Sequence, residues 1–222
     1  MLLALDTSTR RMGVALYDGT HVLHEMTWAS NFHHTVELAP AIDLALSRAG
    51  VGAEALPAIG IARGPGSFTS LRTGLALAKG LALARRLPLI GVPSLDFLAA
   101  AQPVRNLPLA AVLESGRKRL AVGWYKAERD QWHPVGALEL LDAQGLYDRI
   151  NEPTLICGEL NAEARTLFKR KRKLALLASP ALSHRRPGFL AELAWERWQD
   201  GQTDDPVTLA PIYLSQEDLP SA

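Results

Sequence analysis

Ala58-Ile59-Gly60-Ile61-Ala62 runs straight into Arg63-Gly64-Pro65-Gly66-Ser67-Phe68-Thr69-Ser70-Leu71-Arg72. An apolar strand, a turn preset by two glycines and a proline, and the start of a long helical pattern follow without a break. The helix reads from residue 70 to about 86, and Ser67, Thr69 and Ser70 can each cap it. This order aims free backbone N–H groups at one point, which suits an anion. The residues nevertheless fail two phosphate-loop tests. Thr69 stands where a Walker loop needs its last Gly before Lys, and also where the dinucleotide fingerprint needs its third Gly. Gly64, Pro65, Gly66 and Ser67 therefore read as a structural turn that launches the helix, with anion binding second in rank.

Working outward, strands and helices alternate. Residues 2–5, 12–17 and 21–28 read as strands, the last two joined by a hairpin turn at Asp18-Gly19. Residues 34–49 carry apolar side chains at a helical period and stop at Gly50. After the central helix come a strand at 88–92, a helix from Ser94 to about 101, and a linker at 103–108. The second half repeats the order. Strands at 109–113, 120–126 and 135–140 precede a helix capped by Asp142, a strand at 154–157, a helix opened by Asn161, a strand at 174–178 and a helix at 187–200. Asp6 and Glu114 hold the same station in the two halves. A β-β-β-α-β-α unit occurring twice matches the layout of the actin-like ATPase superfamily. The expected fold is α/β, with two ribonuclease-H/actin-like lobes, each a mixed sheet flanked by helices. The expected division is 1–104 for the first lobe and 105–222 for a smaller, divergent second lobe whose last segment can return to the first.

The bulk composition bounds the function. Of 222 residues, 48% are hydrophobic and 21% charged, ordinary for a globular protein with a full core. A formal net charge of +1 advertises no nucleic-acid or membrane partner. The lone Cys157 rules out an internal disulfide, and the N-terminal residues lack a signal-peptide pattern, so a cytoplasmic protein is expected.

In actin-like folds a carboxylate ending the first strand of each half, followed by small hydroxyl residues, faces a nucleotide phosphate and its Mg²⁺. Asp6, Thr7 and Ser8, with Glu114, are the candidates for that role. The structural alternative is that both carboxylates merely end strands and cap turns. No metal or catalytic set emerges from the rest. The six histidines include no pair four apart; His33 and His34 are adjacent, and His21 and His24 fall on opposite faces of a strand. Cys157 lies in an apolar strand and reads as core.

Residues 3–9, Val14-Ala15-Leu16, His34-Thr35, the turn from Gly64 to Thr69 with Leu71-Arg72, and Gly74, Ala78, Gly80-Leu81-Ala82 and Gly91-Val92 together resemble the TsaB (YeaZ) family. The resemblance is dense from residue 2 to about 98. Beyond that it thins to the strand ending at Glu114 and to residues 210–214. Two departures stand out: Glu114-Ser115-Gly116-Arg117 replaces the usual Asp-Ala-Arg, and Ser215 takes the place of Arg. The resemblance implies a non-catalytic partner that scaffolds or activates TsaD. That complex, together with the ATPase TsaE, makes threonylcarbamoyladenosine at position 37 of tRNA, next to the anticodon. It further implies no cofactor for the chain alone, ATP or ADP with Mg²⁺ in the complex, tRNA met indirectly, and a homodimer as a further possibility.

The docking face it implies uses the two long helices, with His34, Leu38 and Ile42 on the first and Leu71, Arg72, Gly74, Leu75, Ala78, Lys79 and Ala82 on the second. The second helix has independent support. Each interior glycine costs about 0.5–1 kcal/mol against alanine, so Gly74 and Gly80 need a reason, and close approach of another helix is one. The basic runs at 169–173, 117–119 and 185–186 read as solvated surface, with tRNA contact only inside a complex. The five tryptophans read as core or subunit contacts. The rival reading is a small actin-fold ATPase or kinase acting on a small molecule through Asp6 and Glu114.

Overall fold

The computed structural model describes residues 1–31, 33–116 and 118–214. Its strands are β1 (Leu2–Asp6), β2 (Arg11–Tyr17), β3 (Val22–Ala29), β4 (Ala58–Ala62), β5 (Leu89–Val92), β6 (Leu109–Glu114), β7 (Arg119–Glu128), β8 (Gln131–Asp142), β9 (Thr154–Gly158) and β10 (Ala175–Leu177). Its helices are α1 (His34–Ala49), α2 (Phe68–Arg85), α3 (Ser94–Ala100), α4 (Ala143–Arg149), α5 (Ala162–Lys169) and α6 (Pro187–Gln199). The described residues form two compact units, Met1–Phe97 with Arg186–Ile212, and Leu98–Arg185 with Tyr213 and Leu214. The first boundary falls inside α3 rather than in the proline-flanked stretch at 103–108.

The first unit is built on a sheet of order β3-β2-β1-β4-β5. β1, β2 and β3 pair antiparallel, while β4 and β5 extend the sheet parallel to β1. The β2–β3 hairpin closes at the expected turn, where the Asp18 carboxylate accepts the N–H of Thr20 at 2.8 Å and of His21 at 2.7 Å. β1 and β4 are buried along their whole length, because helices cover both faces. Leu3, Leu5, Ile59 and Ile61 face α1 and α2, meeting Leu38, Ile42, Ala45, Leu75, Ala78 and Ala82.

The opposite face combines the small residues Ala4, Ala15, Ala58 and Ala62 with Leu2, Ile90 and Val92. It receives Leu190, Ala191 and Ala194 of α6. A Cβ at Gly60 would come within 2.7 Å of the Ala194 Cβ, so this helix needs a bare backbone beneath it. α6 thus belongs to the first unit, although the repeat in the sequence puts it in the second half. Trp195 stands edge-on to Tyr17 at 5.8 Å and to Trp198 at 5.0 Å on the same helix.

The second unit repeats the topology, with order β10-β9-β6-β7-β8. β6, β7 and β8 pair antiparallel, and β9 and β10 continue the sheet parallel to β6. α4 and α5 cover one face through Leu146, Ala164 and Phe168, packed on Ala110, Val112, Val122 and Ile156. Both helices start on side-chain caps read from the sequence: Asp142 accepts Gly145 N–H at 2.6 Å and Asn161 accepts Ala164 N–H at 2.8 Å. β8 is longer than the expected 135–140. It runs through Pro134 and Gly136, which an edge strand tolerates because one side of its backbone needs no ladder partner.

Candidate functional site

The end of β1 and the glycine turn form one clamp in the first unit. Asp6, Thr7 and Ser8 are 1%, 0% and 0% exposed. Ser8 N–H donates to Asp6 Oδ1 at 2.8 Å, so the carboxylate closes its own loop. Ser8 Oγ and Ser94 Oγ share a 2.5 Å hydrogen bond, and Ser94 Oγ also accepts Gly64 N–H at 3.1 Å. Ser67 N–H donates to Ser8 O at 2.7 Å. A Cβ at Gly66 would lie 2.1 Å from that same carbonyl oxygen, so only glycine lets the turn sit down on the loop.

The side-chain caps expected around this turn are not made. Ser94 is the first residue of α3, and its hydroxyl is committed to Ser8 and Gly64. Ser67 occupies the N-cap of α2 without a side-chain cap bond, and its hydroxyl accepts from Ser70 Oγ at 3.0 Å. Glu114 lies in the other unit, exposed at the end of β6, where its N–H donates to Glu159 Oε2 at 3.2 Å. Glu159 in turn pairs at 2.7 Å with Arg185, which is 2% exposed.

α1 and α2 lie side by side on the first sheet. His34, Leu38 and Ile42 of α1, and Leu71, Gly74, Leu75, Ala78 and Ala82 of α2, are buried in the unit's own packing. Only Arg72 and Lys79 of the expected docking set reach the surface. Arg72 lies over the Phe68 ring, 3.7 Å from its centroid, and Lys79 Nζ donates to Val207 O at 3.3 Å. The two glycines have different reasons. A Cβ at Gly74 would lie 2.0 Å from Thr7 Oγ1, so its close approach is to β1's own loop. Gly80 has nothing within 4 Å of that position and opens outward.

The solvent side of the pair carries residues outside the expected set: Val36 (66% exposed), Leu44 (44%), Phe68 (52%) and Leu83 (59%), with Ala39, Pro40, Ala76 and Gly80 between them. The signal for them was present, since residues on the far side of each helix from its core-facing set point away from the sheet. Thr35, Phe68, Thr69, Arg72, Thr73 and Ala76 line a hollow of about 480 Å³ on these helices. The pair is tied to the sheet by Trp28 Nε1, which donates to Glu37 Oε2 at 2.8 Å. That hydrogen bond holds the Glu37 carboxyl below its ordinary range.

Among the described residues no group of three His, Cys, Asp or Glu is placed to hold a metal, and no helix is long and apolar enough to cross a membrane. Cys157 is buried, and burial pushes its thiol far above the ordinary range. The basic run at 169–173 splits. Lys171 donates to Tyr147 O at 2.8 Å and lies over that ring, whereas Lys169 and Arg172 line a groove with Arg105 and Arg165. Arg117 and Ser215 lie outside the described residues.

Two sheets of identical order, each with an antiparallel three-strand half continued by two parallel strands, define an actin-like fold of two ribonuclease-H-like lobes. The family model of TsaD, tRNA N6-adenosine threonylcarbamoyltransferase, matches residues 26–137. The tRNA threonylcarbamoyladenosine biosynthesis protein TsaB of Escherichia coli is 31% identical over 155 residues, covering 68% of this chain and 66% of that protein. TsaB of Bacillus subtilis is 28% identical over 217 residues, covering 96% of this chain and 93% of that one. Among solved structures, YeaZ from Pseudomonas aeruginosa matches with a TM-score of 0.78 at 26% identity, covering 96% of this chain and 99% of that one. The chain belongs to the TsaB (YeaZ) family.

Proposed function

We propose that this chain is a non-catalytic subunit in the formation of threonylcarbamoyladenosine at position 37 of tRNA. In this role it binds and activates the threonylcarbamoyltransferase TsaD through the outward side of α1 and α2. The observation that carries the reading is the exposure of four large apolar side chains on this helix pair, Val36, Leu44, Phe68 and Leu83. Side chains of this size exposed on one helix pair are of the kind that a partner covers. The small residues between them, Ala39, Ala76 and Gly80, let a second helix pair come close. ATP or ADP with Mg²⁺ then serves the assembled complex, and TsaE joins at that level. A second copy of this chain competes for the same side chains when TsaD is absent. A cytoplasmic location follows from the tRNA substrate.

The test is the double substitution Val36→Glu/Leu83→Glu, assayed by co-purification with TsaD of the same organism and by reconstituted tRNA modification. Both side chains are solvated in the free chain, so the fold is kept. Burying two unpaired carboxylates in the covered face should weaken association more than about a hundredfold. Undiminished co-purification of the folded double variant would remove α1 and α2 as the docking face.

A further inference from the structure

A second surface, far along the chain from the docking helices, carries its own charge signature. Residues 98–185 hold 14 Lys and Arg against 9 Asp and Glu, whereas residues 1–97 with 186–212 hold 10 against 12. The near-neutral total thus conceals a cationic second unit. Part of that excess converges on one groove of about 740 Å³, bounded by α5, the turn after it and the edge strand β10. Arg105, Arg165, Lys169 and Arg172 line it, and no carboxylate does among the described residues. Arg165 and Lys169 are one helical turn apart, about 6 Å along the α5 axis, which puts both on the groove side. Arg165 reaches Ser183 Oγ at 3.5 Å, while Arg105, Lys169 and Arg172 form no ion pair among the described residues. Of the rest of the run, Lys171 is committed to Tyr147, Arg170 lines a separate hollow with Glu163, and Lys173 is exposed outside the groove lining.

The groove is also lined by the apolar side chains of Leu155, Leu176, Leu177 and Leu182. Such a lining supports the aliphatic stems of arginine and lysine and leaves their charged heads raised at the rim. Guanidinium groups held this way suit phosphate oxygens, which they bind in a bidentate fork. No aromatic side chain lines the groove among the described residues, so it offers no stacking platform for bases. Raised cations without stacking rings read a backbone, not a sequence.

We propose that this groove of the second unit is a contact surface for the phosphate backbone of RNA, with Arg105, Lys169 and Arg172 as the principal contacts. The proposal rests on the reading of the chain as a tRNA-modification subunit and adds a direct role in holding the nucleic acid.

The probe is an unmodified, fluorescently labelled tRNA transcript with adenosine at position 37, titrated by anisotropy against the full chain and against its complex with TsaD. The variant is Arg105→Glu/Lys169→Glu/Arg172→Glu, and the control is Lys118→Glu/Lys126→Glu/Arg129→Glu, three exposed cations of the same unit that do not line the groove. Four phosphate contacts give a slope of log affinity against log salt of about −3. The groove variant should bind at least about tenfold more weakly and lose about two of those units of slope with its three cations, while still binding TsaD. The control should stay within about twofold of the unmodified chain. Equal losses in both variants would make the effect one of net charge and overturn the proposal. So would a groove variant with unchanged affinity and slope. Loss of a protein partner by the groove variant with RNA binding intact would give the groove to an acidic protein surface instead. Failure of the unmodified chain to bind TsaD refutes the proposed function, whereas retained TsaD binding with unaltered RNA affinity refutes the groove alone.

Discussion

Gly74→Ala and Gly80→Ala make the same chemical change on the same helix, and the structure assigns them opposite signs. Replacing glycine by alanine inside a helix gains about 0.5–1 kcal/mol of intrinsic propensity at either position. At Gly80 nothing opposes that gain, because no atom lies within 4 Å of the new methyl group. At Gly74 the methyl would meet Thr7 Oγ1 at 2.0 Å, Thr7 Cγ2 at 2.8 Å and Thr7 Cβ at 3.0 Å. Thr7 is 0% exposed and has nowhere to retreat. Overpacking of this kind costs about 1–3 kcal/mol, which outweighs the propensity gain. The expected net is a loss of about 1–2 kcal/mol for Gly74→Ala and a gain of about 0.5–1 kcal/mol for Gly80→Ala. Denaturant melts of the two variants read the difference directly as a shift in midpoint at unchanged slope. Thr7→Ala removes the two nearest offending atoms, so Thr7→Ala/Gly74→Ala should recover most of the loss, and the coupling is read from the double-mutant cycle. A Gly74→Ala chain as stable as the unmodified one, or a cycle with no coupling, would refute the account of why this helix carries glycine there.

Glu192 on α6 has its carboxyl raised above the ordinary range, first by burial and then by Glu196 and Glu25, with Arg186 opposing. A raised folded-state value means the ionised form weakens the fold above it, and the weakness is relieved as pH falls toward the unfolded value of 4.5. Glu192→Gln should therefore stabilise the chain at pH 7, with an advantage that fades as pH falls toward 4.5 in parallel melts; a pH-independent difference would contradict the assignment. Cys157, held protonated by burial, should resist a thiol-reactive dye at pH 8 in the native chain and react fully in denaturant. Rapid labelling of the folded chain would show that the strand carrying it opens.

Most of the elements could be read directly, because strand runs, the Asp18-Gly19 hairpin and the Asp142 and Asn161 caps depend on residues a few positions apart. The home of α6 could not be read that way. An amphipathic helix announces that it needs a sheet, not which sheet, and its place after β10 puts it in the second half by order alone. The deciding feature is in β4, where Ala58, Gly60 and Ala62 alternate with Ile59 and Ile61. That alternation of small and large gives β4 one thin face, and α6 is the helix that fits against it. The docking residues expected from the sequence raise a related point, since most of them are buried in the unit's own packing. Small side chains on α2 correctly signalled close approach, but at Gly74 the neighbour is Thr7 of the same unit, so smallness alone did not say which side faces outward. The large exposed residues Val36, Phe68 and Leu83 mark that side better than any glycine.

Net charge misleads in the same way when it is summed over the whole chain. A total of +1 argues against a polyanion partner only if charge is evenly spread, and here the second unit carries the excess while the first is slightly acidic. At physiological ionic strength a surface charge is felt over about 8 Å, so a phosphate at the groove responds to Arg105, Lys169 and Arg172 and not to carboxylates elsewhere on the chain. The length over which charges are averaged has to match the screening length before the sum says anything about partners. At that scale the two proposed contact surfaces differ in kind: exposed apolar side chains at Val36, Leu44, Phe68 and Leu83 on the first unit, and a cationic groove on the second.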